Sequence, residues 1–234
     1  MSRKFTDIKS DLFIEQVKEL NEGVYDPGIF KAFFLAGGPG SGKSYVQKKT
    51  TGASGLKIVN SDDIFTKFLK DAGLQTTPDD IYSDKGQEIR GRAKKVTSNK
   101  QSNYLMGRLG LVIDGTGKEY PKIQKQVASL KGLGYETYMI FVNTSEEVAQ
   151  KRNLERERTL DPKEVSKMWN EVQRNMGKYQ QLFGNKNFII VDNNDASDKY
   201  LFTVWKNVRK LVKSKITNHL AKAWIAKELR NKKR

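Results

Sequence analysis

Short runs of apolar residues, each bounded by glycine or polar turn residues, recur along the chain. They are rich in Ile, Val, Phe and Leu, and most lack the alternation of apolar and polar positions that marks a half-solvated sheet. Continuous runs of this kind are typical of parallel strands covered on both faces. The pattern predicts five strands, at Lys31–Ala36, Leu56–Asn60, Leu109–Asp114, Glu136–Asn143 and Asn187–Asp192.

Stretches with helical spacing lie between these runs. The alternation predicts an α/β layered fold with right-handed crossover connections. Helix-start signals agree with this plan, since Ser61 precedes two aspartates, Thr144-Ser145 precedes two glutamates, and Asp161 precedes Pro162. The predicted helices are Gly42–Lys49, Asp62–Ala72, Tyr120–Leu133, Ser145–Arg158 and Lys163–Leu182.

Two segments fall outside the alternation. Residues 73–108 are polar and lack a strand candidate, so we expect an inserted helical region there. Residues 197–230 have the pattern of one or two amphipathic helices. Trp205 and Trp224 lie on their apolar faces, and we interpret them as core residues; the alternative is that they stack on nucleic-acid bases. We therefore predict a domain at residues 1–196 and a basic helical extension at residues 197–234.

The charge of the chain suggests a partner. Lys and Arg number 43 against 27 Asp and Glu, a net charge of +16, and the isoelectric point is about 9.8. Residues 204–234 contain eleven basic residues and one acid, so +10 of the +16 lies there. Such an excess favours a polyanionic partner, nucleic acid before a membrane surface. The alternative is that these lysines are simply the solvated face of helices packed on the domain.

The cysteine content and the lack of long apolar stretches narrow the classes of protein to which this chain could belong. The chain has no cysteine, which excludes disulfides and thiolate metal sites. Its first residues lack the apolar core of a signal peptide, and no stretch approaches the roughly 18 apolar residues of a membrane span. We therefore expect a cytoplasmic protein.

The first predicted strand is followed by GGPGSGKS, residues 37–44. This loop satisfies the pattern G-x-x-x-x-G-K-[ST] and leads into a predicted helix. Glycines let successive backbone N–H groups point at phosphate oxygens, and the helix adds its positive end. Lys43 is expected to bridge the β- and γ-phosphates of ATP, and Ser44 to bind Mg²⁺. The predicted nucleotide-binding residues are Gly38, Pro39, Gly40, Ser41, Gly42, Lys43, Ser44 and Tyr45.

Carboxylates lie at or just after the ends of two other predicted strands. Asp114 ends LGLVIDG, where a carboxylate near the metal is expected, although an ordinary Asp-Gly turn would have the same sequence. Asp62 and Asp63 follow VNS, and either they are first-turn acids facing a helix dipole or one of them is a general base for an incoming hydroxyl. We favour Asp62 as the base and keep Asp63 as the alternative.

Arginines are concentrated in QKRNLERERTLDP. Arg152 and Arg156 are four residues apart and share a helical face. One interpretation is a solvated helix of alternating charges. The other is a mobile lid at about residues 151–162 that brings guanidinium groups onto the transferring phosphoryl and excludes water.

The order GGPGSGKS, VNSDD, VIDGTG and QKRNLERER resembles the P-loop kinases related to polynucleotide kinase and zeta toxin, over roughly residues 31–192. The resemblance implies a three-layer P-loop sandwich around a parallel sheet of about five strands. The predicted basic C-terminal helices lie outside the region of resemblance and add to this fold. It also implies Asp62 as general base, Arg156 as a lid arginine on the phosphates and Arg152 as a supporting one. The arginine expected near position 67 is absent, since Lys67 stands there. The chain is also similar to phage-encoded kinases of 5-hydroxymethyluracil in DNA, which would place it in host cytoplasm.

Three functions compete at this stage. The leading hypothesis is ATP-dependent phosphoryl transfer to a hydroxyl on nucleic acid, either a 5′-end or the hydroxymethyl group of a base. The second is a kinase of a nucleotide or sugar nucleotide, which leaves the basic C-terminal segment without a role. The third is a nucleic-acid-stimulated ATPase, which the glycine at position 115 disfavours, because such proteins usually carry a glutamate after the strand-end aspartate.

Overall fold

The computed structural model describes residues 23–52, 54–155 and 159–232. Its sheet has five strands in the order β2-β3-β1-β4-β5, and every neighbouring pair is parallel. The five predicted strands are therefore confirmed, β1 and β4 with the predicted bounds and the others slightly shorter. The strands are β1 (Lys31–Ala36), β2 (Lys57–Val59), β3 (Leu111–Asp114), β4 (Glu136–Asn143) and β5 (Phe188–Asp192).

Nine α-helices occur in the described part of the chain. The predicted insertion is helical and forms α3 and α4, and the C-terminal segment forms two helices, α8 and α9. None of the described helices is both long and apolar enough to cross a bilayer. The helices are α1 (Lys43–Thr51), α2 (Asp62–Asp71), α3 (Pro78–Tyr82), α4 (Asp84–Met106), α5 (Tyr120–Gly132), α6 (Glu146–Leu154), α7 (Pro162–Phe183), α8 (Asp198–Val212) and α9 (His219–Asn231).

The central strand β1 is buried on both faces, which makes the molecule three-layered. Phe33 and Leu35 pack in one hydrophobic cluster with residues of α1 and α8. Phe34 and Ala36, which point to the opposite face, pack in a second cluster with residues of α5, α7 and α9. The predicted three-layer α/β fold with a parallel sheet is confirmed.

The helices α2, α3 and α4 have a small core of their own. Phe65 and Leu69 of α2 pack with Ile81 of α3 and with Ile89 and Ala93 of α4. This cluster sits beside the β2 edge of the sheet, where α4 contacts β2. The inserted segment is thus a packed helical unit next to the ends of β2 and β3.

The basic C-terminal helices contribute apolar residues to the core. In α9, Ala221 is fully buried, and the Trp224 ring meets Phe30 edge-on at 5.5 Å. Their lysines and arginines are exposed. The apolar positions that α8 buries against the sheet are Leu201, Val204, Val208 and Val212. The division of the chain at residue 196 stays a prediction.

A buried ion pair ties the loop between α8 and α9 to the sheet. Lys31, the first residue of β1, is 1 % exposed; its Nζ forms an ion pair with Glu136 and donates to Ser214 Oγ at 2.8 Å. Glu136 Oε1 also accepts from the backbone N–H and the hydroxyl of Thr217, both at 2.7 Å. Although burial alone would raise the pKa of Glu136, the hydrogen bonds from Lys31 and Thr217 lower it below 4.5.

Candidate active site

The strand order brings three chain segments to one edge of the sheet. The carboxyl ends of β1, β3 and β2 are neighbours, and Leu35 of β1 pairs with Asp114 of β3. The glycine loop follows β1, and Asn60 follows β2. In open parallel sheets this edge is where ligands bind.

At two positions of the glycine loop, residues 37–44, both the backbone conformation and the packing exclude a side chain. Gly40 and Gly42 have left-handed backbones, with φ of 73° and 77°. A Cβ on Gly40 would lie 2.2 Å from the Ala149 carbonyl oxygen, and one on Gly42 would lie 2.4 Å from Asn193 Nδ2. Glycine is therefore required twice over, by backbone conformation and by space.

Lys43 and Ser44 begin α1, directly after Gly42. Lys43 Nζ donates a hydrogen bond of 3.0 Å to the Gly37 carbonyl oxygen, so its ammonium lies back over the loop. Both side chains line the cleft described below. The Tyr45 hydroxyl donates to Asp198 of α8 at 2.9 Å. The role predicted for Tyr45 in nucleotide binding stays a prediction.

The loop that follows the edge strand β5 supports the glycine loop. Asn193, after β5, is buried, and its Nδ2 donates to the Ser41 carbonyl oxygen at 2.7 Å. Arg152 of α6 donates from Nη1 to the Asn193 carbonyl at 2.7 Å and from Nη2 to the Asn194 carbonyl at 2.9 Å. Arg152 therefore positions the supporting loop. Sequence reasoning missed Asn193, whose only signal was its place after a predicted strand.

Asp114 ends β3 inside the cleft. Its Oδ2 accepts from Asn60 Nδ2 at 3.1 Å, and its buried Oδ1 has no hydrogen-bond partner among the described residues. Burial raises the pKa of Asp114; Lys43 opposes this in part, and the neighbouring Asp62 and Asp63 add to it. The charges of Lys43, Asp62 and Asp63 therefore all act on the Asp114 carboxyl, which places the four groups around one cleft.

Asp62 begins α2, and its backbone N–H donates to Asn60 Oδ1 at 2.8 Å. The expectation that Ser61 caps this helix is wrong, because the Ser61 side chain makes no capping hydrogen bond. Instead, the side-chain amide of Asn60 accepts the hydrogen bond from the Asp62 N–H through Oδ1 and donates to Asp114 through Nδ2. One asparagine thus links the strand-end carboxylate to the helix that carries the predicted base.

These side chains line one cleft of about 550 Å³. It is bounded by the glycine loop and β3 on one side and by α2 and α3 on the other. Its volume is in the range of small-molecule sites. Lys67 is not among its lining residues. The polar groups that line it are Lys43, Ser44, Asn60, Ser61, Asp62, Asp63, Thr66, Thr76, Asp114 and Thr116.

The predicted lid lies partly outside the described residues. Arg156 belongs to the undescribed residues 156–158, so the role predicted for it stays a prediction. Three positions before Arg156 in the sequence, Asn153 is fully buried and makes two hydrogen bonds to the backbone of Leu160. It donates to the Leu160 carbonyl at 2.8 Å and accepts from the Leu160 N–H at 3.0 Å. The end of α6 is thereby tied to the segment that leads into α7.

The cleft suits the magnesium ion that accompanies a bound nucleotide. The described residues contain no cluster of three or more His, Cys, Asp or Glu side chains arranged to hold a metal alone. Mg²⁺ in phosphate-transfer sites typically keeps waters and takes one or two protein ligands plus phosphate oxygens. Ser44 and the unpartnered Oδ1 of Asp114 fit that pattern, because both line the same cleft.

Comparisons with known proteins agree with this fold. A structure of the PezAT toxin–antitoxin system of Streptococcus pneumoniae is 17% identical, with 97% of this chain and 98% of that chain covered and a TM-score of 0.54. The AvrRxo1-ORF1:-ORF2 complex with ATP is 12% identical, with 94% and 88% covered and a TM-score of 0.51. At such identities the likeness shows the shared fold. No curated protein sequence matches the chain significantly.

The family assignment comes from the sequence itself. Residues 33–178 match the family model AAA_33, described as an AAA domain. This span includes the glycine loop, Asp62, Asp114 and Arg152, so it covers the sheet edge at which the site is built. Because the match extends over more than half of its length, this chain belongs to the AAA_33 family of P-loop domains.

Proposed function

We propose that this protein is an ATP-dependent kinase that transfers the γ-phosphoryl group to a hydroxyl. One observation carries the proposal: Asp62 lines the same cleft as Lys43 and Ser44 of the glycine loop. A phosphate-binding loop alone would serve any nucleotide hydrolase. A carboxylate across the cleft from it supplies what a hydroxyl acceptor needs, a base.

Each residue then has a distinct task. Asp62 accepts the proton of the acceptor hydroxyl while the hydroxyl oxygen forms a bond to the γ-phosphorus. The bond between the γ-phosphorus and the β–γ bridging oxygen breaks, and ADP is released. Lys43 neutralises charge on the phosphoryl oxygens. Ser44 and Asp114 would hold Mg²⁺, which when bound offsets charge on the β- and γ-phosphates. Arg156 remains the predicted lid arginine.

The acceptor hydroxyl that we propose is on nucleic acid, at a 5′-end or on a hydroxymethylated base such as 5-hydroxymethyluracil in DNA. The net charge of +16 supports this. So does a groove of about 850 Å³ that runs from Ser44, Asn60 and Asp63 to α8, hereafter the α8 groove. Its basic side chains outnumber its acidic ones, and a basic groove attracts a phosphate backbone. They are Lys48, Lys57, Arg209 and Lys213.

The test is a transfer assay with γ-labelled ATP. The acceptors are oligonucleotides with a 5′-hydroxyl or a 5′-phosphate, each with and without 5-hydroxymethyluracil, alongside free nucleotides and sugar nucleotides. We expect label in an oligonucleotide, and the matched pairs identify which hydroxyl received it. Label only in small molecules would replace the nucleic-acid acceptor with a nucleotide. Phosphate release with no labelled acceptor would replace the kinase with an ATPase.

A further inference from the structure

The helix α4 places two cations beside the predicted base. Arg90 and Lys94 are four residues apart on one face of α4, and with Ser61, Asp62 and Phe65 they line a cavity of about 180 Å³. The packing of Ile89 and Ala93 against α2 turns this face toward the cleft. No sequence motif marks this segment.

The Arg90 side chain is held in place without being neutralised. Its guanidinium lies over the Phe65 ring, 4.8 Å from the centroid, and the side chain is half-buried. Within residues 23–52, 54–155 and 159–232, neither Arg90 nor Lys94 has a carboxylate within salt-bridge distance. A planar guanidinium fixed on an aromatic face keeps its N–H edge available for a carboxylate or phosphate.

The smaller cavity contains more cationic than anionic side chains. Lys94 also lines an adjoining cavity of about 380 Å³, which shares Ser61 with the smaller one and is bordered by Glu119, Lys122 and Asp114. Glu119 and Lys122 form a salt bridge of 3.4 Å and so offset each other. The adjoining cavity therefore adds one carboxylate, that of Asp114, whereas the smaller cavity has two cations, Arg90 and Lys94, against the single carboxylate of Asp62. An anionic group of a ligand would balance the charge of the smaller cavity.

We propose that Arg90 and Lys94 bind an anionic group of the acceptor, a phosphate in the first instance, and so hold its hydroxyl next to Asp62. This inference rests on the proposed function, since it names the substrate class of the same site. The acceptor is then an alcohol that carries a negative group a short distance from the reacting hydroxyl. A phosphodiester within nucleic acid and the phosphates of a sugar nucleotide share this chemistry.

The experiment compares ligands that differ only in charge. The probes are the dinucleotide d(TpT) and its methylphosphonate analogue, which has the same shape without the negative charge, and UDP-glucose represents small phosphorylated alcohols. Binding is measured by calorimetry with a non-hydrolysable ATP analogue already bound, so that no turnover is needed. Arg90→Met keeps the apolar contact with Phe65 and removes the charge. The control is Arg92→Met on the same helix, since the Arg92 guanidinium lies over Phe68, 5.4 Å from the centroid.

We expect Arg90→Met to weaken binding of d(TpT) or of UDP-glucose about ten- to a hundredfold, the effect of losing a charge-assisted contact. Arg90→Lys should lie between Arg90→Met and the wild type, and Arg92→Met should bind as the wild type does. The charged probe that the wild type prefers identifies the source of the phosphate.

Equal binding of d(TpT) and its neutral analogue, together with unaltered UDP-glucose binding in Arg90→Met, would overturn the inference. The proposed function fails separately, if the wild type binds a charged probe through Arg90 but transfers no phosphoryl group to any acceptor in the labelling assay. Retention of the analogue by every variant, and unchanged thermal unfolding, show that the variants are folded.

Discussion

Asn193 Nδ2 donates a hydrogen bond of 2.7 Å to the carbonyl oxygen of Ser41, a residue 152 positions earlier in the chain. The contact joins the loop after β5 to the phosphate-binding loop after β1. Arg152 holds the same β5 loop from α6 through the Asn193 and Asn194 carbonyls. The curvature of the glycine loop is therefore supported by two elements that are remote in sequence.

Replacing Asn193 by alanine should weaken nucleotide binding. The Ser41 carbonyl would lose its buried partner, at a cost of about 1–3 kcal/mol, and the loop would no longer be held in its phosphate-binding shape. We expect the ATP dissociation constant to rise about tenfold, as measured by calorimetry. Asn207→Ala, at an exposed position of α8, is the control and should bind ATP normally. Unaltered ATP affinity in Asn193→Ala would contradict this support role.

Asp62→Asn should slow the phosphoryl-transfer step strongly without weakening ATP binding. An amide cannot accept the proton of the hydroxyl, so kcat should fall about 10²- to 10⁴-fold, the usual contribution of a general base. Rapid-quench measurement of labelled product, with a separate ATP titration, distinguishes the two effects. Asp71→Asn, at the exposed end of the same helix, is the matched control. If Asp63→Asn shows the large loss and Asp62→Asn does not, Asp63 is the base.

Asp114 should make magnesium binding sensitive to acid. Burial raises the pKa of this carboxyl above its ordinary value of 3.8, so it takes up a proton at a higher pH than an exposed aspartate does. Protonation removes the negative charge that would hold Mg²⁺, and the apparent Mg²⁺ affinity with ATP should therefore fall as the pH is lowered toward that pKa. Titrations from pH 7 to pH 5 measure this. Asp114→Asn should bind Mg²⁺ more weakly at neutral pH and lose this part of the pH dependence.

The ion pair of Lys31 and Glu136 should make the fold acid-sensitive. The pKa of Glu136 is lower in the folded protein than its ordinary value of 4.5. Its contribution to stability is therefore complete above pH 4.5 and is lost as the pH falls through the folded-state pKa. Glu136→Gln leaves a buried ammonium without its counter-charge and should cost roughly 3 kcal/mol at pH 7. Urea unfolding should show that the gap between wild type and variant narrows at pH 3.5; a constant gap would refute this.

The α8 groove should contribute to nucleic-acid affinity in a salt-dependent way. Arg209→Glu with Lys213→Glu reverses two charges in the groove. Lys222→Glu with Lys227→Glu makes the same change in net charge on α9, at exposed positions that do not line it. If the α8 groove binds the phosphate backbone of the nucleic acid, the first pair of substitutions should weaken oligonucleotide binding more than the second. It should also give a shallower slope of log affinity against log salt concentration. Equal losses from the two pairs would show a general effect of net charge.

Much of this architecture follows from local sequence signals. The strands β1 and β4 have the predicted bounds because fully buried parallel strands require continuous apolar runs between turn residues. Helix starts at Ser145 and Asp161 were also readable, since each side chain accepts a hydrogen bond from a backbone N–H two or three residues later. The Ser61 cap was misassigned because Asn60, one position earlier, makes the competing hydrogen bond.

Contacts between distant segments were not readable in this way. Arg152 has the spacing of a lid arginine, yet its Nη1 and Nη2 donate hydrogen bonds to backbone carbonyls of the loop after β5. Arg90 belongs to a polar helix without a motif, and only the packing of α4 on α2 brings it beside Asp62. A side chain's partners depend on how elements are placed relative to one another, and no local pattern encodes that placement.

By itself, the sequence determined the alternation of strands and helices, the phosphate-binding loop and the carboxylates at the ends of β2 and β3, because each depends on residues adjacent in the chain. The tertiary structure alone decided that Asn193 supports the loop, that α4 faces the predicted base, and that α8 and α9 bury their apolar faces on the sheet. The physical reason is that backbone hydrogen bonds and hydrophobic periodicity act over a few residues, whereas burial and charge pairing depend on which surfaces meet.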